Sequence, residues 1–351
     1  MKTYFILFVS IMLTGIACKK NNQRDTLPKE KKWVVTTVAG DGRPAFANGP
    51  VLTASFRAPL DVVVTAEGVV YVADAINHRI RKIADGQVTT FAGRGTGDTT
   101  SGNGSVAGFV LPSELAIDNN DNVYTLDLDD PRIRKISSAA FVSVYAGEGV
   151  EGYADGGAPT AQFGEEAAGI TTDEQENIYV SDYENRRIRK ISTTGQVTTI
   201  AGNGKTGFVN GKADSAQFFS LGGIVIDKQG NLFVADGSRV RKITPSGEVS
   251  TFVGSDSSGY RDGQTDAALF TLITDMAIDD RGNIYLSDDN RIRKITPQGL
   301  VSTFAGSTAG YEDGDASSAK FYNPAGLGID KQGNIYVADA NNNRIRKISF
   351  E

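Results

Sequence analysis

Three carboxylates stand where this chain otherwise repeats a glycine. Asp61, Glu114 and Asp275 occupy one recurring position, and its other occurrences are Gly169, Gly223 and Gly326. Carboxylates brought to one point suit a hard cation such as Ca²⁺, which is held by oxygen ligands. They can equally accept the hydroxyl hydrogens of a polyol, remain solvated, or pair with nearby Arg57. Side chains that do not repeat cluster around the same positions: Arg57, Glu165, Glu166, Phe219, Tyr322 and Asn323. The candidate metal ligands are therefore Asp61, Glu114 and Asp275. The candidate ligand contacts add Arg57, Glu166, Phe219, Tyr322 and Asn323.

Other chemistry is sparse. His78 is the only histidine, which excludes a multi-histidine metal site and points to a solvent-exposed loop residue. Asp127-Leu128-Asp129-Asp130 has the start of a calcium loop, but Pro131 stands where the sharp-turn glycine belongs. Gly93-Arg94-Gly95-Thr96-Gly97 leads into no helix and so is no phosphate loop. The net charge of −6 is interspersed, without a basic block in the repeating region, which argues against nucleic acid as a partner.

The elements that position these residues follow from a repeat. The string Arg-Ile-Arg-Lys-Ile, or Arg-Val-Arg-Lys-Ile in one copy, begins at Arg79, Arg132, Arg187, Arg239, Arg291 and Arg344, in steps of 53, 55, 52, 52 and 53 residues. A constant period means one supersecondary unit repeated. In the fourth copy, Ile224-Val225-Ile226-Asp227 precedes the turn Lys228-Gln229-Gly230, then Asn231 to Asp236, then Arg239 to Ile243, then a turn and Val249 to Gly254. Short β-branched and aromatic runs between Gly, Pro, Asn and Asp clusters read as an antiparallel meander. Four strands per repeat, six times over, predict an all-β, six-bladed β-propeller.

The ends predict closure. The fourth-strand string recurs before the first repeat at Val35-Thr36-Thr37-Val38-Ala39-Gly40, and the last repeat ends after its third strand. The N-terminal strand Val35–Ala39 is thus expected to complete the last blade beside Arg344–Ile348, making residues 34–351 one domain. The recurring Phe56, Phe109, Phe163, Phe218, Phe270 and Phe321 read as plugs between blades. The Asp that ends each second strand, from Asp74 to Asp339, reads as a turn fastener.

Ahead of the domain, Met1-Lys2-Thr3 and the apolar run Tyr4–Ile16 have the form of a signal sequence, too short for a membrane span. The ending Gly15-Ile16-Ala17-Cys18 resembles a bacterial lipoprotein signal, with Gly15 where leucine is usual. That resemblance implies that residues 1–18 end at a lipidated Cys18, with residues 19–33 as a polar tether. It places the protein in the bacterial cell envelope, anchored by lipid at the outer membrane and facing the periplasm or the surface.

Gly333-Asn334-Ile335-Tyr336-Val337-Ala338-Asp339, followed by Asn343-Arg344-Ile345, resembles the NHL repeat, and all six repeats carry versions of it. More broadly the chain is similar to SMP-30/gluconolactonase-like propellers. The first resemblance implies a monomeric binding scaffold for a glycan, small molecule or envelope protein, without catalysis. The second implies the alternative of a metal-dependent hydrolase or lactonase using the channel-mouth carboxylates. No cofactor is required by the first reading, and Ca²⁺ is the cation to test.

Overall fold

The structure is a computed structural model that describes residues 31–351, so the expectations for Cys18 and the leader lie outside the described residues. Six sheets, one per repeat, form the blades of a propeller. In blade one the innermost strand is Pro59–Val64, followed outward by Val70–Asp74, Arg79–Ala84 and Gln87–Ala92. Each blade also carries an outermost strand of two residues, Gly49–Pro50 in blade one and Gly314–Asp315 in blade six. The sheets therefore have five strands where the sequence pattern predicts four. The extra pair lies in the long loop between blades, and two residues are too few to show a period.

In blade six, Trp33–Ala39 lies between Gly314–Asp315 and Arg344–Phe350, with Val35 opposite Ile348. Trp33 packs on Phe304 and Phe350, at ring distances of 4.9 and 5.4 Å. Among the described residues no helix is long and apolar enough to cross a membrane.

The blades pack through apolar layers shared by neighbours. Phe56, Phe109, Phe163, Phe218, Phe270 and Phe321 are all fully buried. Phe56 sits with Val62 and Val72 of its own blade and with Tyr336, Ala338 and Ile345 of blade six. Each such ring removes apolar area from water at about 25 cal/mol per Å².

The repeated arginine string carries the least expected feature. Its second arginine is completely buried in every blade: Arg81, Arg134, Arg189, Arg241, Arg293 and Arg346. In five blades this guanidinium pairs with the buried Asp that ends the second strand. The Arg–Asp distances are 2.5 Å for Arg81 and Asp74, 2.8 Å for Arg189 and Asp182, and 2.7 Å for the pairs of Arg241, Arg293 and Arg346. The same Asp accepts a backbone N–H from the residue after the buried phenylalanine, such as Arg57, Gly164, Phe219, Thr271 or Tyr322. It is thus a fastener, as the sequence suggests, and also half of an ion pair. In the same five blades the Asx of the Asx-Gly turn supplies a second acceptor to the guanidinium, as Asn48 does for Arg81 and Asp313 for Arg346.

The first arginine of the string stacks outside. Arg79, Arg187, Arg239, Arg291 and Arg344 lie 3.6–4.2 Å above the rings of Phe46, Tyr153, Phe208, Tyr260 and Tyr311. The loop aromatics therefore have one face covered by a cation.

Blade two departs from the scheme. Asp127 accepts the N–H groups of Val110 and Leu111, while Arg132 pairs with Asp130 at 2.6 Å and Arg134 remains 3.8 Å from Asp130. Burial pushes the unpaired Asp127 carboxyl up to about 7. These partners account for the acidic run at 127–130 without a calcium loop.

Breaking a buried pair leaves one charge uncompensated, at a cost of about 3–5 kcal/mol. Arg189→Ala should lower the unfolding free energy by that order, and the double change Arg189→Met with Asp182→Asn should cost less than the single one. Urea unfolding of the three proteins measures this. Equal stability of Arg189→Ala and wild type would refute the fastening role.

Candidate functional site

The innermost strands meet at the axis, and each has an irregular register at the position where the carboxylates alternate with glycine. In blade one the shift lies between Pro59 and Asp61, in blade two between Pro112 and Glu114, and in blade five between Ile273 and Met276. Such bulges re-aim a side chain. They bring Asp61, Glu114 and Asp275 together, with one carboxylate oxygen from each within 4.8 Å of the others.

The glycines at the other three positions are required by close approach. A Cβ on Gly326 would stand 2.5 Å from the Cα of Asp61, one on Gly223 2.7 Å from that of Asp275, and one on Gly169 2.8 Å from that of Gly223. Neighbouring strands therefore touch at these positions, while blades one, two and five leave room for a side chain.

Asp61 is 2% exposed and Asp275 8%, whereas Glu114 is partly open. Asp61 accepts the N–H of Leu115 in blade two at 2.7 Å, and Asp275 accepts that of Leu327 in blade six at 2.8 Å. Two of the carboxylates thus tie adjacent blades together. Glu114 has no hydrogen-bond partner among the described residues.

Arg57 does not neutralise the group. Its side chain is exposed and forms no ion pair among the described residues, and only its backbone is engaged, the N–H by Asp74 and the carbonyl by the N–H of Ile76. Burial, and then the charge of Asp275, push the Asp61 carboxyl well above the usual range despite its two amide donors. Burial followed by the charges of Asp275 and Asp61 does the same to Glu114. Burial raises Asp275 to about 7, opposed by the amides of Leu327 and Met276. Such a cluster either retains protons or attracts a cation that restores the ionised forms.

The remaining candidates lie on the rim rather than in the cluster. Phe219, Tyr322, Asn323, Glu165 and Glu166 are exposed in the loops that lead into the innermost strands. Phe219 stacks on Phe208 at 5.0 Å. The N–H of Asn323 donates to Asn290 and that of Glu166 to Glu184. His78 is half-buried where the sequence suggests exposure, because its Nδ1 reaches the Val110 carbonyl of the next blade.

Sequence reasoning missed a cavity of about 1240 Å³ on the opposite face, lined across blades three to five by residues including Tyr179, Lys190, Phe233, Lys242 and Asp280. Its lining comes from turns and strand ends that recur in all blades, so no departure from the repeat marks it.

Comparison with known proteins agrees with this architecture. The model of the NHL repeat matches residues 56–83 and 321–348, and that of the teneurin NHL domain matches residues 205–266. The chain carries NHL repeats and folds as a six-bladed β-propeller. It is 26% identical over 330 residues to the chloroplastic protein SUPPRESSOR OF QUENCHING 1 of Arabidopsis thaliana, over 90% of this chain and 27% of that protein. The chain thus spans about a quarter of that relative's length. An auxiliary nutrient binding protein from Bacteroides thetaiotaomicron superposes with a TM-score of 0.69 at 18% identity, over 92% of this chain and 77% of that one. A gluconolactonase from Xanthomonas campestris does so with a TM-score of 0.58 at 9% identity, over 90% and 89%. At these identities the likeness is one of fold.

A raised carboxyl pKa makes the folded state hold a proton that the unfolded chain releases. Its contribution is present below the unfolded value of 3.8 and is lost as pH rises toward about 7. In EDTA the melting temperature should therefore fall across this window, and Asp275→Asn should flatten part of the fall. Calorimetry at a series of pH values measures it, and identical slopes in the two proteins would rule the cluster out as their source.

Proposed function

We propose that this propeller is a non-enzymatic binding module of the bacterial cell envelope whose ligand site is the axial mouth on the long-loop face. The observation that carries this reading is the meeting of Asp61, Glu114 and Asp275 within 4.8 Å, with no ion pair to any of them among the described residues. A hard cation such as Ca²⁺ fits this donor set, since it takes carboxylate oxygens and tolerates irregular geometry. Backbone carbonyls and ligand hydroxyls would complete its shell.

Calcium titration by calorimetry tests the reading. Wild type should bind, and the shape-preserving Asp275→Asn should bind at least about tenfold more weakly, equivalent to about 1.4 kcal/mol. Asparagine is preferable to glycine here, because it retains an acceptor for the Leu327 amide. Binding unchanged in Asp275→Asn would exclude the cluster.

A second reading, a metal-dependent lactone hydrolase, is favoured by the same carboxylates in a fold shared with a gluconolactonase. The resemblance calls for Glu, Asn and Asp at the channel mouth, whereas this chain has carboxylates in three blades and glycine in the other three. Hydrolysis of gluconolactone that depends on added divalent metal would establish the enzyme; its absence supports the binding module.

Localisation rests on Cys18. With the leader removed at Ala17, lipid on Cys18 would anchor the domain through residues 19–33. Cys18→Ser should move the protein from the membrane fraction to the soluble one, because acyl chains contribute about 0.8 kcal/mol per buried CH₂. Unchanged detergent partitioning would argue for another anchor.

A further inference from the structure

The axial mouth is not equally walled on all sides. In blades one, three and six the loop from the second to the third strand has four residues, at 75–78, 183–186 and 340–343. In blade two the corresponding residues 128–131 instead extend the two strands, which turn at Asp129 alone. Blades four and five have only Gly237-Ser238 and Asp289-Asn290. These loops share the face of the long inter-blade loops, so the wall is lowest at blades four and five. Blade five also contributes Asp275 to the axis.

Apolar and aromatic groups frame this gap. Phe219 of blade four is 50% exposed, Leu272 of blade five 55% and Tyr322 of blade six 48%. The equivalent positions of Phe219 and Tyr322 in blades one, two, three and five are Arg57, Val110, Gly164 and Thr271, so the two exposed aromatics flank blade five alone. Phe219 is held firmly. Its ring stacks on Phe208 at an interplanar angle of 27°, and the Arg239 guanidinium lies 3.6 Å from the centre of the Phe208 ring. A ring already held in a stack loses little side-chain freedom when a ligand covers its outer face.

We propose that this gap is a saccharide site, in which a neutral sugar chain lies over blade five between Phe219 and Tyr322 and directs hydroxyls toward the axial carboxylates. The proposal rests on the long-loop mouth being the ligand site. Three features select the ligand. The aromatic faces offer flat apolar surface to the C–H face of a pyranose ring. The carboxyl groups offer acceptors when ionised and an O–H donor when protonated, and hydroxyl groups, which both donate and accept, satisfy either form. The stack already serves a cation, since Arg239 lies over the Phe208 ring on which Phe219 stacks. Phe219 precedes Gly223, the axial neighbour of Asp275, by four residues, which at strand rise is a reach of about 13 Å. A ligand of more than one sugar ring can therefore touch both the platform and the axis.

The test is a titration of the whole domain with maltose, cellobiose, lactose and mannobiose, read by calorimetry and by saturation-transfer NMR, beside tetramethylammonium as a cationic probe. At least one disaccharide should bind and show transfer to its ring C–H protons. Phe219→Ala and Tyr322→Ala should each weaken it about tenfold, while Phe219→Trp restores binding; melting curves confirm that the variants fold. The proposal is overturned if no disaccharide in the set binds, if both alanine variants bind as wild type does, or if tetramethylammonium is preferred. Calcium titration of the same samples separates the two readings. Calcium binding without saccharide binding overturns this inference alone, and absence of both removes the axial site as well.

Discussion

The buried Arg–Asp pair is the interaction on which the rest of the propeller depends. A guanidinium with no exposed surface must find acceptors for its donors, because an unpaired buried charge is costly. Arg189 meets this with Asp182, Asp155 and the carbonyls of Ala154 and Gln162. These acceptors come from the second strand, the Asx-Gly turn and the long loop. One side chain in the third strand therefore determines where the loop crosses the blade, and so where the innermost strand begins. Repetition of the pair in five blades aligns the loops on one face.

That alignment makes departures from the repeat meaningful. The axis is crowded enough that glycine is needed where neighbouring strands touch, and a carboxylate survives only where the ring opens. Asp61 and Asp275 occupy such openings and also hold the amides of Leu115 and Leu327. Their role is therefore double: they join blades, and they concentrate negative charge beside Glu114. The proposed binding and the cohesion of the blades thus share the same two side chains, so Asn at 275 is a more informative change than Gly.

A propeller fold is used for many purposes, and likeness of fold does not choose among them. What distinguishes this chain lies on one face. The low wall at blades four and five, the aromatics at 219 and 322, and the carboxylates at the axis occupy the end onto which the pairs bring the long loops. The opposite face has a cavity of about 1240 Å³, but its turns are held internally, as Asp173, Asp227 and Asp279 are by Asn177, Asn231 and Asn283.

The blade count, the strand order and the position of the carboxylates were legible in the sequence, because a repeat with a period near 53 residues superposes six independent copies of the same constraint. Whatever breaks the pattern then stands out, as Asp61, Glu114 and Asp275 do against glycine. Other features were decided by tertiary contact. The two-residue outer strands carry no periodicity of their own. Recurrence marks the arginine string as structural, but only burial shows its second arginine to be the centre of the blade. Arg57 lies near the cluster in sequence, yet its side chain points to solvent. The distances that turn three carboxylates into one site depend on register shifts in three separate strands, and on how closely glycine lets the neighbouring strands approach. Local sequence specifies each blade; only closing the ring determines which side chains meet at its axis.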